Sequence, residues 1–123
     1  MDIAEIKKLA RKAREFTVEI GAHGFICVMP TDLEMRIIYA AQVTQEESTQ
    51  SVVWKTLTGW TGVLVRHILP DAPEAVAANF VEFDGDVARE FFASRGEMFY
   101  QLGGEIFQRI TARRSQIEAA EKN

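Results

Sequence analysis

The sequence predicts a mostly helical α+β domain: an N-terminal helix, one β-hairpin, then about four helices in a single compact domain. Three observations predict it. Apolar residues recur at three- and four-residue steps over most of the 123 positions, the spacing of one helix face. One short region breaks that rhythm. Residues 16–20 alternate apolar and polar, residues 25–29 form a second apolar run, and Gly21-Ala22-His23-Gly24 lies between them as a turn. Both tryptophans then fall within residues 51–63, where Val52, Val53, Trp54 and Leu57 share a helical stripe and Gly59 and Gly62 flank Trp60. Tryptophans this close anchor a core, since each ring can bury on the order of 200 Å². Trp54, Trp60 and Phe83 are the expected structural core, and residues 1–123 the expected single domain.

Residues 2–15 read as a helix with Asp2 as its N-cap, an apolar stripe of Ile3, Ile6, Leu9, Ala10 and Ala13, and a basic face of Lys7, Lys8, Arg11, Lys12 and Arg14. The hairpin follows and Pro30 ends its second strand, because proline lacks the donor that further pairing needs. Thr31-Asp32-Leu33-Glu34 has the form of a capping box, so a helix is predicted over residues 32–43, burying Leu33, Met35, Ile37, Ile38 and Ala41 in part. Residues 44–50 are polar and read as a linker or as the first turn of the tryptophan helix. That helix is expected to end near Gly59, in the left-handed conformation glycine adopts without strain, with Trp60 on a turn. Residues 64–69 make a short helical turn stopped by Pro70, residues 71–78 are irregular, and residues 79–83 look extended. Asp84 can cap a helix carrying Val87, Phe91 and Phe92. A last helix begins near Glu97 with Phe99, Leu102, Ile106, Ile110 and Ile117 on one stripe. Gly103-Gly104 inside it implies either a close backbone neighbour or a break. Residues 112–123, where charges replace the stripe, are expected to be a frayed or assembly-related helical tail.

Composition narrows the function classes. Net charge is −4 but split: the first helix is basic, while residues 71–97 carry seven acids against Arg89 and Arg95. Such a chain can join copies of itself head to tail or meet an oppositely charged partner. The basic face is short and lacks interleaved aromatics, which argues against nucleic acid. No apolar run approaches the roughly 20 residues of a membrane span. The single cysteine, Cys27, has no internal disulfide partner and fits a reducing cytoplasm. Cys27 with His23 invites a nucleophile reading, but the hairpin puts His23 in the loop and Cys27 in a strand as a small hydrophobe. His67 reads as packed or capping. Neither the histidines, the glycine pairs nor Asp84 and Asp86 have the spacing of a zinc, phosphate or calcium site. The expectation is therefore no enzyme, no cofactor and no metal.

The order of parts resembles the small tail assembly chaperones of long-tailed bacteriophages and prophages. Phe16-Thr-Val-Glu-Ile20 with Pro30-Thr-Asp-Leu-Glu34 is similar to the family's hairpin and following helix. Trp54-Lys-Thr-Leu-Thr-Gly-Trp-Thr-Gly-Val63 is similar to its glycine-bounded turn, and Val81-Glu-Phe-Asp84 to its entry into a phenylalanine helix. The resemblance implies a non-enzymatic protein of the host cytoplasm that binds the tape measure protein, or other tail proteins, during tail morphogenesis. Competing classes are a minor virion component, such as a head–tail connector or tail completion protein, and a small bacterial interaction or regulatory module. A chaperone for a hydrophobic helix needs an apolar groove or patch. Of the late aromatics, Phe92, Tyr100 and Phe107 are the expected partner-binding residues, some of which should line an exposed patch rimmed by the acidic segment.

Overall fold

The computed structural model describes residues 1–41 and 44–122. Helix α1 (Ile3–Ala13) starts at Asp2, whose side chain accepts from the Glu5 amide at 2.8 Å. Strands β1 (Glu15–Ile20) and β2 (His23–Val28) form the expected antiparallel hairpin, with Ile20 opposite His23 across a tight turn. His23 thus opens the second strand and is not in the loop. Helix α2 (Asp32–Ala41) carries the predicted capping box: the Glu34 amide donates to Thr31 Oγ1, and the Thr31 amide to Glu34 Oε1, both at 3.1 Å. The predicted end of this helix at Val43 lies outside the described residues.

Helix α3 (Gln45–Thr56) opens with a second capping box, Thr44 with Glu47, so the polar residues before the tryptophan helix are its first turn and not a linker. Lys55 of α3 reaches Glu34 Oε2 at 2.9 Å. That hydrogen bond, helped by the Thr31 amide, holds the Glu34 carboxyl below the usual carboxylate range.

The next element corrects the sequence reading. The helix does not end in a left-handed cap at Gly59, and Trp60 is not on a turn. Leu57 is the C-cap with an extended backbone, and the chain continues as β3 (Leu57–Thr61). It pairs antiparallel with β2, giving a sheet of order β1-β2-β3, with Phe25 opposite Trp60 and Ile26 opposite Gly59. The unpaired edge of β2 explains the difference, because the donors and acceptors along it are satisfied by a third strand. As the central strand, β2 is buried at five of its six positions, whereas β1 alternates.

Helices α4 (Val65–Ile68) and α5 (Glu74–Ala77) are single turns in a protrusion, residues 64–81. A bridge between Leu64 and Phe80 closes its base, with the Val65 amide donating to Asn79 O and the Val81 amide to Val63 O, each at 2.9 Å. Helix α6 (Gly85–Ala93) is capped by Asp84, which accepts from the amides of Asp86 and Val87. Helix α7 (Gly96–Glu121) then runs 26 residues, about 39 Å at the helical rise. It does not break at Gly103-Gly104. A methyl on Gly103 would come within 2.6 Å of Thr49 Cγ2, so close packing on α3 is why glycine stands there. Residues 112–121 continue this helix with little burial.

The core lies between the sheet and α3, α6 and α7. Phe25 and Phe91 are fully buried at its centre, with Phe92, Phe99 and Trp60 around them. Trp60 donates from Nε1 to Val81 O at 2.8 Å, so its polar end is satisfied inside. Trp54 is half-buried, with Arg89 over its ring at 4.2 Å, and Phe83 is half-buried edge-on to Trp60. Arg95 joins α6 to the protrusion by donating to Phe91 O and His67 O, both at 2.8 Å, while its guanidinium covers the Phe91 ring.

Candidate functional site

Of the three expected partner-binding residues, Tyr100 is exposed, Phe107 is half-buried and Phe92 is buried. Phe92 is only 5% exposed, set among Phe25, Trp54, Phe91 and Phe99, because it lies on the face of α6 that closes the core. Phe107 is half-buried against the core. Tyr100 is exposed, and its hydroxyl meets Gln50 Nε2 at 3.5 Å. A buried Phe92 cannot share an exposed surface with the other two, so the three do not form one patch.

The titratable residues that invite a catalytic reading hold structure together. His23 and Cys27 stand four residues apart on β2, which at the strand rise separates them by about 13 Å. Burial pushes the Cys27 thiol up to about 12, so it stays protonated. His23 Nδ1 lies 2.8 Å from Gly62 O and donates to it. His67 Nδ1 accepts from the Leu64 amide at 2.9 Å, at the start of α4. Among the described residues no cluster of histidine, cysteine and carboxylate side chains could hold a metal ion.

The two imidazoles meet edge to face, with ring centroids 4.9 Å apart. Burial first, then the nearby positive charges of His23, Arg66 and Arg95, hold His67 below the usual imidazole range. The sign follows from linkage. As pH falls below about 6.5 the unfolded chain takes up this proton first, so the contribution is full above that pH and is lost below it. Melting temperature should therefore fall as the pH drops below about 6.5. In His67→Gln, where the amide oxygen can still accept from Leu64 N–H without titrating, this part of the loss should vanish. An unchanged pH profile in the variant would place the sensitivity elsewhere.

A cavity of about 750 Å³ opens between α2 and the distal half of α7. Met29, Met35, Tyr39, Ile110 and Ile117 supply its apolar lining, and Arg14, Arg36, Arg113, Arg114, Glu118 and Glu121 its charged edges. An Asp32–Arg114 ion pair at 3.3 Å ties the two helices. The lining from Ile110 to Glu121 spans about 16 Å, roughly three turns of a helix. Ile110 and Ile117 stand seven apart, a spacing readable in sequence, but nothing local told which helix they would face. On α2 the expectation of partial burial fails for Leu33 and Ile37, which are exposed, as is Ala41. Helix α1 buries no residue at all: Ile3, Ile6 and Leu9 are 72%, 52% and 50% exposed.

None of the described helices is long and apolar enough to cross a membrane. No protein-family model, curated protein or solved structure matches this chain.

Proposed function

We propose that this chain is a non-enzymatic tail assembly chaperone of the kind its sequence resembles, and that it holds an amphipathic helix of a phage tape measure protein in the groove between α2 and α7. The groove supports this reading. It is the length of a short helix, apolar along its floor and charged at its edges, which suits helix-in-groove recognition by residues at i, i+3 and i+7 of the bound segment. The arginines and glutamates at the edges suit a partner helix of mixed charge, and so replace the lysine- and arginine-bearing partner that an acidic rim would favour. Shielding such a helix before the tail tube polymerises is work for the host cytoplasm and needs no chemistry from the chaperone.

The test is co-expression with a phage tape measure protein, followed by co-purification. The wild-type chain should retain the partner. The double variant Tyr39→Ser, Ile117→Asp should lose it while its circular dichroism and melting temperature stay close to wild type, since both positions are exposed. Retention of the partner by that variant would overturn the groove as the site, and absence of capture by the wild type would overturn the chaperone reading.

A further inference from the structure

We infer that the chain self-associates head to tail, with α1 of one copy seated on the protrusion, residues 64–81, of the next. This goes beyond the chaperone reading and does not depend on it. Helix α1 offers Ile3, Ile6 and Leu9 at three-residue steps, a continuous apolar stripe exposed along its whole length. Lys7 and Lys12, to either side of the stripe, form no ion pair among the described residues. An amphipathic helix with an uncovered apolar face is a surface without its partner.

The protrusion is the complement in both respects. Leu69, Val76 and Phe80 are exposed on it, Phe80 to 78%, a value at odds with a large aromatic ring in a finished surface. Asp71 and Glu74 lie between them and Glu82 just beyond, all exposed and without an ion pair among the described residues, against the single cation Arg66. A basic amphipathic helix on an apolar surface edged with carboxylates joins like to like in hydropathy and opposite to opposite in charge.

Topology assigns the occupant to a second copy. Helix α1 leads into β1 at the Glu15 end of the sheet, and the Arg14 amide-carbonyl and side-chain bonds to Met29 hold it there. The protrusion leaves β3, the opposite edge strand, from its Thr61 end. Because β1 and β3 both run antiparallel to β2, those two points are diagonal corners of the sheet. Each molecule thus presents its donor and its acceptor at different corners, and a head-to-tail contact between such surfaces builds rings or open chains. A three-turn helix covers less than the roughly 800 Å² per partner of a standard interface, so the association should be weak and depend on concentration.

Sedimentation velocity on the purified chain, from about 10 μM to about 1 mM, reads this directly, since an interface below standard size assembles in that range. The mean sedimentation coefficient should rise with concentration past the value of a dimer, and added salt should suppress the rise. Ile6→Asp, which spoils the helix, and Phe80→Asp, which spoils the protrusion, should each weaken association about tenfold or more. Mixed one to one, the two variants should form heterodimers and stop there, because one intact donor meets one intact acceptor; this also shows that both are folded. A wild-type chain that stays monomeric throughout overturns the inference, as does a mixture that forms no heterodimer. Binding of the monomer through α1 to phosphatidylglycerol vesicles would instead assign the helix to a lipid surface. The groove positions Tyr39 and Ile117 belong to neither surface, so loss of self-association leaves partner capture intact, and the converse.

Discussion

Phe91→Ala should lower the free energy of unfolding by about 3–5 kcal/mol, the usual range for truncating a buried phenylalanine to alanine. The upper half of that range is expected for a structural reason. Phe91 is fully buried and meets four rings: His23 at 5.2 Å, Trp60 at 5.4 Å, Phe92 at 5.1 Å and Phe25 at 6.2 Å. Rigid rings collapse poorly into a hole, and the Arg95 guanidinium at 4.2 Å would lose the face it covers. Trp54, one of the three residues the sequence nominated for the core, is half-buried and should cost less when truncated. Denaturant curves followed by tryptophan fluorescence measure both. A Phe91→Ala cost below that of Trp54→Ala would move the centre of the core away from α6.

Gly62→Ala should cost about 2–4 kcal/mol, the sum of left-handed strain and of displaced backbone. Gly62 has φ +74°, and a methyl there would run into the carbonyl of Ala22 in the hairpin turn. That carbonyl belongs to main chain, so no rotamer relieves the collision. Moving Gly62 would also pull its own carbonyl from His23 Nδ1. Gly21→Ala is the control. It shares the positive φ, at +60°, but has nothing within 4 Å of the added methyl, so only the strain of about 1–2 kcal/mol applies. Equal costs for the two substitutions would refute the collision.

Local rules were legible wherever a few neighbouring residues decide the outcome. Asp2, Thr31 and Asp84 cap the helices that their spacing predicts, and the hairpin turns where Gly21 allows. Thr44 with Glu47 was equally readable as a capping box, and it decides for the helical first turn over the linker, the two readings that the polar run left open. Strand β3 was missed because Gly59 reads as a helix stop, while the reason for a strand lies on β2, more than thirty residues earlier. The same limit governs the surfaces. Sequence shows that α1 has an apolar stripe, not that nothing covers it. It counts the late aromatics without telling Phe92, turned into the core, from Tyr100, turned out. The groove was invisible for the same reason, since Met35 and Ile117 meet only through the relative placement of two distant helices.

Cys27 also gives the chain an internal clock of its own opening. The thiol is wholly enclosed in the central strand and lacks any other cysteine with which to compete. An alkylating reagent at mildly alkaline pH attacks thiolate, which an unfolded chain supplies readily and the closed chain withholds by both access and protonation. The modification rate therefore reports how often β2 is laid open, and its ratio to the rate in denaturant converts directly into an opening free energy. With this native cysteine as the probe, the stability of every substitution that leaves the strand intact can be read on the folded protein, against one reference rate for the unfolded chain.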